Sequence, residues 1–208
     1  MRVEQYGITY DRITVKDIEL IRYWRNQSFI RSQMQFNKYI TPSMQLSWFD
    51  SINNPYNYYF LIEYEGKKIG LINCKDTEPN SRIAEGGIFI WDNTYWGTPI
   101  PVFASLSMLE AVFEVFQTGD ASVITVKRDN KRALEFNRLL GYEVDKQNFN
   151  SDFVKMNLTI KRYFEVSSKL KKAAFLFSGG KDKMKLSGLP SENNVSEINE
   201  ILRKNMSR

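Results

Sequence analysis

SVITVKRDNKRALEFNRLLGYEV, residues 122–144, decides the fold class of this chain. Ser122–Val126 is short and rich in β-branched residues, which predicts a buried strand. Lys127–Asn130 is polar and predicts a turn, with Asn130 suited to cap a helix. The helix is expected to run to about Leu140. Gly141 stands just past its end, where a left-handed residue commonly closes a helix. A strand that passes through a polar turn into a short amphipathic helix is a building unit of α/β chains.

The flanking sequence extends the pattern. Tyr6–Ile13 predicts a first strand. Thr14 caps a helix expected through Asn26, with Val15, Ile18, Leu20, Ile21 and Trp24 as its apolar stripe. Thr41-Pro42 opens a second helix, carrying Met44, Trp48, Phe49 and Ile52 on one face and ended by Asn53-Asn54-Pro55. Tyr58–Glu65 and Lys68–Lys75 flank Gly66-Lys67 and predict a hairpin. Ile83–Ile90 is a further strand, Pro101–Gln117 the longest helix of the domain, and Asp152–Leu158 a last strand. The order of elements predicts an α/β domain over residues 1–160, built on a mixed sheet. Residues 161–208 read as a basic helical C-terminal extension. Lys161–Phe177 is an amphipathic helix closed by Gly179-Gly180, and a capping box at Asn194–Glu197 opens a final helix with Val195, Ile198, Ile201 and Leu202 on one side.

Composition narrows the chemistry. The chain has 208 residues, enough for one sizeable core. Its net charge is +5, but residues 161–208 hold 11 Lys/Arg against 5 Asp/Glu, a net of +6, which leaves the first 160 residues near −1. The basic balance therefore belongs to the extension, and no nucleic-acid partner is expected. There is no histidine, so acid–base chemistry falls to Glu, Asp, Tyr, Lys, a thiol or water. Cys74 is the only cysteine; no disulfide or metal site is expected. No apolar run has signal-peptide or membrane-span length, so a cytoplasmic location without stable membrane insertion is expected. The apolar side of Lys161–Phe177 is expected to pack on the same domain or across a homodimer.

The strand–Asn–helix–Leu-Gly-Tyr passage, together with Ile88–Pro101 and its following helix, resembles the acetyl-CoA site of the GNAT N-acetyltransferases. The resemblance covers residues 6–158. It implies a GNAT-type mixed central sheet flanked by helices, and acetyl-CoA as acyl donor. The loop positions aligned on Tyr95-Trp96-Gly97 are Trp96, Pro99 and Pro101. Proline carries no amide hydrogen, so donors there reduce to Gly97, Thr98, Ile100 and Val102. With Ile88, Ile90 and Asn130, the residues Trp96, Gly97, Thr98 and Ile100 form the implied cofactor-binding set. Glu85 matches a carboxylate that removes the amine proton, and a backbone N–H near Ile88–Ile90 would hold the oxyanion. Asn137 occupies the position of a tyrosine that protonates the leaving thiolate. An amide there can hydrogen-bond a sulfur but is a poor acid.

The first half is similar to the amino-sugar branch of the same family and, less specifically, to its ribosomal-protein branch. Arg25-Asn26, Arg31, Met34 and Trp48 are the implied acceptor residues. Arg25 and Arg31 suit an anionic pyrophosphate, while Met34 and Trp48 suit the apolar face of a sugar. The acceptor implied is a small primary amine, a nucleotide-linked amino sugar. Gln45 stands where relatives often have histidine. Two alternatives stay open: acetylation of protein N-termini, and a binding or regulatory module with a decayed site.

Overall fold

The computed structural model describes residues 1–54, 56–75, 82–115, 117, 119–145 and 151–187. Pro55 and the helix expected from Asn194 lie outside the described residues. Among the described residues nine strands form one sheet: β1 Arg2–Gln5, β2 Ile8–Arg12, β3 Tyr58–Tyr64, β4 Lys67–Lys75, β5 Ile83–Ile90, β6 Ala121–Lys127, β7 Glu143–Val144, β8 Phe153–Thr159 and β9 Lys185–Ser187. Their spatial order is β7-β8-β6-β5-β4-β3-β2-β1-β9. Among the described strands only β5 and β6 pair in parallel. The helices are α1 Ile18–Asn26, α2 Ser28–Arg31, α3 Pro42–Ile52, α4 Ile100–Glu110, α5 Lys131–Leu139 and α6 Ile160–Phe177.

Several expected elements form as their capping chemistry dictates. The Asn130 side chain accepts from the Ala133 amide at 3.0 Å and starts α5. Thr41 accepts from Met44 N at 3.2 Å, with Pro42 in the first turn of α3. Thr14 and Asp17 form a reciprocal capping box, which opens a single 3-10 turn ahead of α1.

Other expectations change. The first strand is a hairpin, because Tyr6 and Gly7 both take left-handed φ (+54° and +75°) and fold β1 onto β2. Val15 is exposed and leaves the apolar stripe of the first helix. In α3 it is Gln45, with Phe49, that is buried, whereas Met44 faces out. Residues 45, 48, 49 and 52 lie within one helical face, and 44 falls beside it. The long helix keeps α-geometry only to Glu110. It then widens into a π-turn over Ala111–Val115 that keeps Ala111, Val112 and Phe113 buried.

Two cores lie on opposite faces of the sheet. One packs β-strand residues such as Ile62, Ile72, Ile124 and Met156 against α4, α5 and α6. The other packs Tyr59, Leu61, Leu71 and Trp91 against α1 to α3. Each fully buried aliphatic or aromatic side chain contributes about 1.5–3 kcal/mol. The helix α6 follows β8 directly and places Tyr163 and Ala174 in the first core. Beyond it, β9 pairs with β1. Lys171 of α6 bridges Glu114 (2.5 Å) and Glu110 (3.8 Å) at the end of α4.

Candidate active site

The parallel pairing of β5 and β6 lasts three residues, Ile83–Ala121 to Glu85–Val123. Beyond it β6 stays paired with β8 to Lys127, and β5 stays paired with β4 to Ile90. The two strands therefore part and leave a wedge. Its chemistry follows from register. Trp91 N donates to Ile69 O at 2.9 Å, and the β4–β5 register is unbroken. In an antiparallel pair the hydrogen-bonded residues alternate. The odd residues of β5 thus bond β4, while Ile88 and Ile90 turn their peptide groups toward the wedge.

Side chains alternate across the same strand. Ala84 and Ile88 lie on the α4/α5 face, and Phe89 on the α1–α3 face. Glu85 shares the face of Phe89. Its carboxylate pairs with Lys75 Nζ at 2.9 Å, and each side chain is about one-third exposed. Gly87 also lies on that face, where a Cβ would sit 2.6 Å from Asn73 Oδ1. Gly86 lies on the opposite face. A Cβ there would be 3.5 Å from Ser122 Oγ and 3.6 Å from the Tyr142 hydroxyl. Those two buried hydroxyls hydrogen-bond each other at 2.7 Å.

The loop after β5 forms the rim. Asp92 caps a short turn over Asn93–Tyr95, and Gly97 takes φ +84°. Thr98 N donates to Tyr95 O at 3.2 Å, and Ile100 N to Thr98 Oγ1 at 3.4 Å. Of the four amides expected to face a ligand, Gly97 and Val102 remain. Trp96 donates its indole hydrogen to Ile90 O at 3.0 Å. Its ring lies 4.8 Å from the Arg132 guanidinium carbon and 5.9 Å from the Phe29 ring. This contact joins α2, the loop and α5. Asn130 uses its side-chain oxygen as the α5 cap. Asn137 donates its side-chain amide to Ala133 O at 2.7 Å, within its own helix.

On the α1–α3 face, Trp24 stacks on Trp91 with rings 3° from parallel. Arg25 lies 5.9 Å from the centroid of Phe89. One guanidinium nitrogen reaches Phe36 O at 3.5 Å. The other, Nη1, is buried with no hydrogen-bond partner among the described residues. Burial without a carboxylate beside it lowers the Arg25 pKa. Asn26 brackets Ile40, donating to its carbonyl at 2.9 Å and accepting from its amide at 2.8 Å. That bracket closes the loop between α1 and α3. Met34 packs on the second core, and Trp48 meets Tyr59 edge-on at 5.2 Å. Arg31 is half-buried at the end of α2. Gln45 is buried and its Nε2 has no partner among the described residues.

The structure thus gathers Glu85, Ile88, Ile90 and Trp96 at the wedge, and sets Arg25 beside Phe89. Phe89, Arg132, Ser122 and Tyr142 belong to the same region, although residue type alone did not mark them. Only Tyr142 had a sequence signal, its place after Leu140-Gly141. Among the described residues no group of three or more Cys, Asp or Glu is gathered for a metal, and no helix is long and apolar enough to cross a membrane.

A family model described as acetyltransferase (GNAT) domain matches residues 8–143. No curated protein matches the sequence. Among solved structures, a domain from Methanocaldococcus jannaschii superposes with a TM-score of 0.64 at 20% identity, covering 73% of this chain and 97% of its own. A spermidine N-acetyltransferase from Vibrio cholerae, in complex with CoA and spermine, gives 0.64 at 17% identity, covering 76% and 98%. A ribosomal L7/L12 alpha-N-protein acetyltransferase in complex with coenzyme A gives 0.59 at 13% identity, covering 75% and 96%.

Proposed function

The chain belongs to the acetyltransferase (GNAT) domain family, and from that membership we propose that it acetylates a small primary amine where β5 and β6 part. The early end of their pairing, at Glu85–Val123, carries this reading. A wedge lined by peptide groups fits an extended, amide-bearing cofactor arm, which can pair with a strand edge as another strand would. Ile88 and Ile90 would hold that arm. The amides of Gly97 and Val102, at the start of α4, suit phosphate oxygens, and Arg132 adds a cation at the same rim. Asn130 retains its amide nitrogen for the arm. Acetyl-CoA, when bound, supplies the reactive thioester.

The chain's own groups supply orientation and proton transfer. Glu85 projects to the α1–α3 face, takes the amine proton directly or through one water, and is positioned by Lys75. The peptide groups of Ile88 and Ile90 would also stabilise the carbonyl oxygen as it gains charge.

The acceptor reading is an amine that also carries an anionic group, as a nucleotide-linked amino sugar does. Arg25 supports it: a half-buried cation on the face of Glu85, with one donor nitrogen unpaired and no carboxylate partner among the described residues. A polyamine acceptor would meet this cation with like charge. A second reading, acetylation of a protein N-terminus, is favoured by the exposed Tyr23, Phe29, Phe36 and Tyr39 in and after α1 and α2, which suit an open peptide groove. The test incubates the full chain with acetyl-CoA and three acceptor panels: nucleotide-linked amino sugars, spermidine and peptides with free N-termini. Thiol release is the readout. Turnover confined to anionic amines is expected. No turnover with any amine, while calorimetry shows CoA bound, would overturn the proposal.

A further inference from the structure

Arg12, the last residue of β2, is a buried cation without an anion. It is only 9% exposed. Its Nη2 donates to Asn54 O at 3.0 Å and to Asn57 O at 3.2 Å, both neutral carbonyls. Its Nη1 is buried with no hydrogen-bond partner among the described residues. No carboxylate among those residues acts on it, and burial lowers its pKa. A charge is held at such depth when a counter-charge accompanies it, because its removal from water is costly. A buried donor left over in this way marks a place for an ion or ligand.

Strand register shows what lies next to it. Alternate side chains share a face, so Arg12 projects to the α4 side with Tyr10. Its cross-strand neighbours there are Phe60 of β3 and Met1, whose carbonyl oxygen accepts from Arg12 N at 3.0 Å. The ring centroid of Tyr58 lies 5.7 Å from the guanidinium carbon. These four neighbours, Met1, Tyr10, Tyr58 and Phe60, all line one apolar pocket between the sheet and the end of α4. Ser107 and the π-turn residues Ala111 and Val112 line it from above, and such turns are frequent at functional sites. The hydroxyls of Tyr10 and Ser107 bond each other at 3.1 Å. No charged side chain lines the pocket among the described residues. Met108 and Met184 complete the lining, and both are partly exposed, as are Met1 and Tyr58 beside Arg12.

We infer that Arg12 and this pocket form a second binding site, for a carboxylate on a short unbranched alkyl chain. The carboxylate pairs with the guanidinium, and the chain lies in the pocket. The pocket volume is about 40 Å³, which suits a few methylene groups. A cavity that takes benzene has about 150 Å³. Met1, Met108 and Met184 are flexible and adjust to the chain. The site shares no residue with the wedge or with the acceptor residues, so it does not rest on the acetyltransferase reading.

The test titrates the full chain with hexanoate, with hexanol and with acetate, by calorimetry and by NMR of isotope-labelled methionine methyls. Hexanoate should bind about tenfold or more tightly than either hexanol, which lacks the charge, or acetate, which lacks the chain. It should move the methyl resonances of Met108 and Met184 and leave those of Met34 and Met44, on the α1–α3 side, in place. Arg12→Leu should bring hexanoate down to the affinity of hexanol. The wild-type comparison decides by itself where R12L does not fold. Hexanoate and hexanol binding alike to the wild type, or acetate matching hexanoate as at a bare anion site, overturns the inference. So does an unaltered hexanoate affinity in R12L, or movement of Met34 and Met44 in place of Met108 and Met184.

Discussion

The indole nitrogen of Trp96 donates to the carbonyl oxygen of Ile90 at 3.0 Å, so a rim residue occupies a peptide group that faces the wedge. If the cofactor arm bonds β5 at Ile90, the indole must release that oxygen. Trp96→Phe keeps the ring between Arg132 and Phe29 but removes the competing donor. CoA should bind W96F as tightly as the wild type or up to about tenfold tighter, a difference of about 1.4 kcal/mol. The wild-type fluorescence change on CoA addition should largely vanish in W96F. A clear loss of affinity would mean that the indole itself holds the cofactor.

Gly141, just past the end of α5, packs against Val166 of α6. It takes φ +97°, and a Cβ there would lie 2.8 Å from Val166 Cγ2 and 3.2 Å from Leu158 Cδ1. Gly141→Ala therefore meets both left-handed strain and overpacking and should cost about 1–3 kcal/mol. Gly179, with φ +65° and open space around it, isolates the first of these effects. Gly179→Ala should cost about 1 kcal/mol or less. Urea unfolding of the two variants measures the difference, and equal costs would show that Val166 yields.

These glycines show what the sequence makes legible. The run from Ser122 to Gly141 was readable because each signal is local: β-branching, an Asn cap, a helix repeat and a closing glycine. Thr14 with Asp17 and Thr41 with Pro42 were readable for the same reason. Tyr6-Gly7 was not, since tyrosine carries no turn preference and its place there follows from its hydroxyl reaching Glu110 at 2.8 Å. Nor could any local pattern pair β9 with β1, whose partners Lys185 and Glu4 are far apart in the chain. The site divides the same way. Glu85, Ile88, Ile90 and Trp96 lie on one strand and its loop. Arg132 at the rim and Tyr142 beneath Gly86 come from elements whose register only the tertiary fold sets, and the unpaired nitrogen of Arg25 is a property of its surroundings.

Arg25 separates function from stability. A buried guanidinium nitrogen without a partner opposes folding, so Arg25→Met should leave stability unchanged or raise it by about 1 kcal/mol. The same change should raise the KM for an anionic acceptor by about tenfold or more, since a charge-assisted pair is lost. Neutral amines should show little change. Thermal melting beside acceptor kinetics tests both halves. A destabilised R25M with unaltered KM would assign Arg25 to the fold through its stacking on Phe89.

Glu110 makes stability depend on pH. Its carboxylate accepts from Tyr6 and Gln5, each at 2.8 Å, lies 3.8 Å from Lys171 and shares that lysine with Glu114. Burial raises its pKa above the ordinary 4.5, and Lys171 with the two hydrogen bonds offsets only part of that rise. The native state therefore holds the proton more tightly than the unfolded chain. In the window from about 4.5 upward to the raised native value, folding binds protons, so stability falls as pH rises. Below the window both states are protonated, and above it neither is, so the contribution is flat at each end. Glu110→Gln keeps most of the geometry and cannot ionise. Urea midpoints measured through the window should decline for the wild type and stay more level for E110Q, with E110Q gaining on the wild type toward neutral pH. Parallel curves for the two proteins would show that Lys171 and the two hydrogen bonds cancel the effect of burial.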